Sequence, residues 1–102
     1  MRARVITSKA DPALTDQWVE LTRDVLVAAS QAQEGYRGYV ALYQREEGRA
    51  MAVTLWEDER SERASDAASA PSRNALADAV GAEMSVDVYE VAIADIPTPT
   101  TS

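Results

Sequence analysis

The first eight residues alternate, with Ala3, Val5 and Thr7 on one side and Arg4, Ile6 and Ser8 on the other, which predicts a first strand over Arg2 to Ser8. Asp11 and Pro12 follow as a helix start: the carboxylate accepts from a first-turn N–H, and proline needs no N–H there. Leu14, Trp18, Leu21, Val25, Ala28 and Ala32 then recur at steps of three and four, one face of a helix that closes at Gly35. The pattern returns to alternation over Tyr36 to Arg45, breaks at Glu46-Glu47-Gly48-Arg49, and alternates again over Ala50 to Glu57, an antiparallel hairpin. A polar, helix-prone stretch from Asp58 to about Ala67 is expected to stop at Ala68-Ser69-Ala70-Pro71. A second piece, Ser72 to Val80, turns Leu76, Ala79 and Val80 inward and ends at Gly81. Met84 to Asp95 is the expected fourth strand.

The order is β-α-β-β-(broken α)-β, an α+β class chain of ferredoxin-like βαββαβ type with a four-stranded antiparallel sheet. The hairpin strands are apolar on both faces: Met51, Val53 and Leu55 lie opposite Ala52, Thr54 and Trp56. Two helices cover one face of such a sheet. The other therefore calls for a second copy, giving a homodimer in which two sheets close into a dimeric α/β barrel. Residues 1–96 are expected to form one domain and residues 97–102 a flexible tail.

Composition narrows the chemistry. A net charge of −7, with nine arginines and one lysine scattered along 102 residues, argues against nucleic acid and against anionic membrane surfaces. No stretch is long and apolar enough for a membrane span, and the N-terminal apolar run is too short for a signal peptide. Cysteine is absent, which fits a cytoplasmic setting and removes thiol chemistry. Histidine is absent too, so there is no imidazole base and no His/Cys metal site. No metal and no cofactor are expected.

Three stretches carry a resemblance: Gly35-Tyr36-Arg37-Gly38-Tyr39, the hairpin running to Leu55-Trp56-Glu57-Asp58-Glu59, and Val86-Asp87-Val88-Tyr89-Glu90-Val91. In element order over residues 2 to 95, the chain resembles the antibiotic biosynthesis monooxygenase family of dimeric α/β-barrel proteins. The resemblance implies a homodimer with a pocket between sheet and helices in each subunit, where active members oxidise polyketide aromatics with O₂ and neither metal nor flavin. Trp56 matches a family pocket position. The asparagine that quinone-forming members place one turn's worth of residues earlier is Ala52 here, and Ser61, Glu62 and Arg63 stand where a tyrosine is expected. The haem-degrading branch needs a histidine ligand that this chain lacks.

Trp56 is the first candidate for a pocket, stacking an aromatic ligand and donating its indole N–H. Trp18 on the helix stripe, Tyr39 and Tyr43 on one strand face, and Arg37 as an anion-holding guanidinium are the others. Each has a plainer role as core, interface or solvated side chain, and no residue presents itself as the general base. Glu57, Asp58 and Glu59 are read as acids that complement a helix start. Two functions follow. One is a cofactor-independent monooxygenase acting on an aromatic, polyketide-type molecule. The alternative is a non-catalytic homodimer that binds a small ligand or stabilises a partner. An open space with polar groups beside Trp56 would favour the first, and a space filled by side chains the second.

Overall fold

In the computed structural model, which describes residues 1–97, four strands form one antiparallel sheet in the spatial order β2-β3-β1-β4: β1 Arg2–Lys9, β2 Tyr36–Gln44, β3 Arg49–Trp56 and β4 Glu83–Glu90. The split βαβ topology expected from the pattern is present. In the central pair, Arg4 faces Thr54, Ile6 faces Ala52 and Ser8 faces Ala50. Because side chains alternate, these positions and Tyr39, Ala41 and Tyr43 of β2 share the helix-covered side of the sheet. The other side carries Val40, Leu42, Met51 and Tyr89, all exposed, around partly buried Val5, Val53 and Leu55.

Gly48 in the hairpin turn adopts φ 68°, and a Cβ there would lie 2.0 Å from the Ala10 carbonyl oxygen, so the turn docks against the start of the first helix through glycine alone. The Ala10 N–H donates to the Gly48 carbonyl at 2.9 Å across the same contact.

The first helix begins as a 3₁₀ turn at Pro12–Leu14, capped by the Asp11 carboxylate on the Ala13 N–H. It continues as α-helix over Thr15–Leu21, widens to a π-helix over Thr22–Val27 and returns to α over Ala28–Gln31. That widening corrects the expected stripe. Val25, Ala28 and Ala32 are exposed, and the buried positions are Thr15, Trp18, Thr22, Leu26 and Ser30. A π turn takes more than 3.6 residues, so from Trp18 onward the inward face recurs at every fourth residue. The helix is capped at Ala32, and Gly35 lies in the turn beyond it.

The second helix is unbroken over Glu59–Val80, with Pro71 inside it, where an interruption was expected. Proline at that point forfeits one backbone hydrogen bond and presses on the carbonyl four residues back. The burial of Ser65, Ser69, Arg73, Leu76 and Val80 along a single face carries the helix through. Ala77 takes the buried place expected of Ala79. The Asp58 carboxylate accepts from the Ser61 N–H at 2.7 Å, and Gly81 ends the helix in the left-handed conformation.

β4 stops at Glu90, five residues short of expectation, and Ile93 and Ile96 beyond it are exposed. Of the expected tail, residues 98–102 lie outside the described residues. Trp18, Leu26, Leu76 and Val80 make the apolar core between helices and sheet. No helix among the described residues is long and apolar enough to cross a membrane.

Candidate functional site

The layer between helices and sheet has two ends of different character. At the β2–β3 hairpin end, Trp18, Tyr39 and Tyr43 line one small cavity together with Ile6, Thr22 and Arg73. Its free volume is about 10 Å³, room for roughly one water molecule. The Tyr43 hydroxyl donates to Thr22 Oγ1 at 2.8 Å, which ties the strand to the first residue of the π segment. Burial raises the Tyr43 phenol above its ordinary range, against the opposing effect of that hydrogen bond. Tyr39 is pushed up to about 12, chiefly by burial and further by Tyr43, with Arg4 and Arg73 pulling the other way. At neutral pH Tyr39 is therefore a phenol that donates, not a phenolate that removes protons.

The other end is polar and closed. Trp56 is 0% exposed, with the Tyr36 ring edge-on at 5.9 Å and the Arg4 guanidinium over its face at 5.3 Å. Arg4, on β1, is itself 2% exposed. Its Nη1 donates to the Glu62 carbonyl at 3.2 Å, to Glu62 Oε1 at 3.3 Å and to Ser65 Oγ at 2.9 Å. Burial lowers the Arg4 pKa, with Asp66 and Glu62 holding the charge in place. Arg73 Nη1 lies 2.9 Å from Asp66 Oδ1, and Arg4 Nε lies 3.9 Å from the same oxygen.

Trp18, Tyr39 and Tyr43 are thus brought together, and Trp56 sits at the far end of the same layer. Arg37 is elsewhere: it is exposed at the irregular start of β2 and pairs with Glu57 at 3.1 Å. Arg4, Thr22, Glu62, Ser69 and Arg73 were missed. Arg4 shares its alternation face with Ile6, and Glu62, Ser65, Ser69 and Arg73 recur at helical spacing. Those two patterns were the available signal. Among the described residues, no group of histidine, cysteine or carboxylate side chains is placed to hold a metal ion.

No family model matches the chain. An uncharacterised protein of Mycobacterium tuberculosis, found in strains CDC 1551 / Oshkosh and ATCC 25618 / H37Rv, is 31% identical over 90 residues, which cover 88% of this chain and 40% of the relative. The chain therefore spans about 40% of the length of the curated relatives it matches. Among solved structures, a monooxygenase from the gene ActVA-Orf6 of Streptomyces coelicolor, in complex with nanaomycin D, superposes with a TM-score of 0.75 at 20% identity, covering 95% of this chain and 92% of that one. SnoaB, a cofactor-independent oxygenase from Streptomyces nogalater, gives 0.66 at 17% identity over 91% and 95% of the two chains. A protein of unknown function from Nitrosomonas europaea gives 0.75 at 15% identity over 96% and 95%. At these identities the likeness is one of fold.

Proposed function

We propose that this chain, which has the fold of the antibiotic biosynthesis monooxygenases, is a cofactor-independent monooxygenase that takes an aromatic, polyketide-type molecule between its helices and its sheet. Residues 1–96 form the single domain of this reading. It acts in the cytoplasm as a homodimer closed through the exposed sheet face, in keeping with the absence of cysteine and the apolar side chains on that face.

The observation that supports the reading is the lining of the small cavity, which brings the aromatic side chains Trp18, Tyr39 and Tyr43 together with Thr22 and Arg73. In the proposed reaction an acidic phenol binds as its anion beside Arg73 and gives an electron to O₂. One oxygen atom becomes a ring carbonyl and the other leaves as water, with one hydrogen from the attacked ring carbon and the proton that the phenol oxygen gave up. Tyr39, kept protonated, donates to the developing oxyanion. Glu62 is tied to Arg4, and the chain has no histidine, so the substrate's own acidity replaces a protein base. The π segment lines the cavity through Thr22 and Leu26, and it is the element that yields to admit a ring system.

The test is oxygen uptake by the metal-stripped protein with a panel of hydroxyanthrones and naphthols, read with quinone absorbance. Uptake above the protein-free rate that falls at least ~10-fold in Tyr39→Phe supports the reading, since one lost donor to an oxyanion costs at least that much. Uptake no faster than background across the panel overturns it.

The cavity's volume of about 10 Å³ favours a second reading, a non-catalytic homodimer that binds a small ligand or stabilises a partner. Saturable quenching of tryptophan fluorescence by the same phenols, without oxygen uptake, supports that reading.

A further inference from the structure

The layer between helices and sheet holds a second small cavity at its hairpin end, again of about 10 Å³. It lies where Ala10, Asp11 and Leu14 meet the turn at Gly48 and Arg49, and the side chains of Asp11 and Arg49 are exposed on its rim. Four lining residues belong to both this outer cavity and the inner one: Ser8, Trp18, Tyr43 and Ala50. Two of the four are small. Ser8 and Ala50 face each other across β1 and β3 on the helix-covered side and make a low floor. The bulk that separates the two cavities is therefore the Trp18 indole, 7% exposed, and the partly buried Tyr43 phenol.

Both rings are tied to one residue. Tyr43 donates to Thr22 Oγ1 at 2.8 Å, and the Thr22 N–H divides its bond between the Trp18 and Val19 carbonyls where the helix passes from α to π winding. A divided bond is weaker in each arm than one aligned bond, so the turn that carries Trp18 is lightly held to the next. The opposite end of the layer is closed. A cleft of about 350 Å³ lies outside it, along Glu34, Glu57, Arg60 and Ser61. There Gly35 packs so closely on Ser61 that a Cβ would lie 2.2 Å from its hydroxyl oxygen, and the Glu57 N–H donates to the Gly35 carbonyl at 2.8 Å. Trp56 behind that end is 0% exposed.

We infer that a ligand passage runs from the Asp11–Arg49 rim to the inner cavity, and that the Trp18 indole plugs it in the resting chain and sets how readily a ring system enters. The molecule it fits is flat, largely apolar and about as wide as the indole that makes way for it over Ser8 and Ala50. The inference rests on the reading that this layer takes an aromatic ligand, and not on any oxidation of that ligand.

The test follows binding of α-naphthol to the full chain by stopped-flow fluorescence under nitrogen, so that no turnover intervenes. Trp18→Leu keeps an apolar side chain in the core but shortens the plug. Association and dissociation should both quicken at least ~10-fold with their ratio moved much less, because a passage open part of the time scales both rates by the open fraction. A residue that only packs would alter unfolding and neither rate. The chain has no cysteine, so one thiol can be placed at either end. In the Trp18→Leu background, a bulky maleimide on Asp11→Cys should slow entry at least ~10-fold relative to the same variant unlabelled, since the mouth is then covered. The same label on exposed Arg60→Cys, beside the opposite cleft, should leave entry unchanged. If Trp18→Leu fails to fold, Tyr43→Phe, which keeps the ring and cuts its tie to Thr22, takes its place in both arms and should quicken entry severalfold. Unchanged rates in the folded variant overturn the inference, as does a block by the Arg60 label in place of the Asp11 label. Absence of saturable naphthol binding in every variant overturns it together with the reading it rests on. Entry as expected without oxygen uptake in air supports the passage and removes the oxidation alone.

Discussion

Leu42 projects from the uncovered sheet face and is 53% exposed. If two copies close through this face, each copy buries its Leu42 against the other, and a two-fold contact counts the residue twice. Full burial of a leucine side chain is worth ~1.5–3 kcal/mol, so covering the exposed half yields about 1 kcal/mol per copy and about 2 kcal/mol per dimer. Leu42→Asp removes that gain and forces two carboxylates into an apolar contact, adding at least about 2 kcal/mol more. The dimer should weaken on the order of a thousandfold. Sedimentation velocity across a wide concentration range measures this directly. The folded protomer should keep its circular dichroism, because the side chain touches solvent in the single chain. Asn74→Asp, on the exposed side of the second helix, controls for added charge and should leave the dimer intact. Dimerisation of Leu42→Asp at the wild-type midpoint would place the contact on a sheet edge instead, and a wild-type chain that stays monomeric throughout would leave this face without a partner copy.

Glu62→Gln leaves Arg4 buried opposite a neutral partner and should cost ~3–5 kcal/mol in urea unfolding, whereas Arg4→Met/Glu62→Met together should recover much of that loss. Tyr39 should titrate near pH 12 by ultraviolet absorbance. Its pKa is raised in the folded chain, so the stability it contributes is complete below pH 10 and is lost between about 10 and about 12, and Tyr39→Phe should remove that part of the alkaline fall. Asp58→Ala should destabilise the chain at neutral pH and converge with wild type in acid: the folded-state pKa is lowered by the Ser61 N–H, so the cap's contribution exists above the ordinary carboxylate value and disappears as pH drops through the lowered one. Gly48→Ala should lower the melting temperature by several degrees, since its Cβ meets the backbone oxygen of Ala10 at a positive φ.

The strands were legible because alternation survives wherever one face is buried, and Tyr39, Tyr43 and Trp56 could be placed on the helix-covered side from parity once β1 and β3 were paired. The lower half of the first helix was not legible. Thr22, Leu26 and Ser30 step by four and include two hydroxyls, whereas Val25, Ala28 and Ala32 fit an ordinary apolar stripe better and are exposed. Arg4 illustrates a different limit. An arginine alternating with apolar residues reads as solvated, and the reason it is buried, Glu62, lies 58 positions away. Pro71 shows local propensity yielding to tertiary packing: buried positions on both sides of it hold a single face.

The wide turn at Thr22–Val27 bears on how such a chain changes over generations. A π turn is what remains when one residue is added to an α-helix without disturbing its ends. Removing a single residue there would restore ordinary winding and leave both ends in place, so the change would fall on the segment itself, on Thr22 that bonds Tyr43 and on Leu26 in the core. This stretch is therefore where the helix can lose one residue without moving its neighbours, and a one-residue deletion probes it more sharply than any substitution.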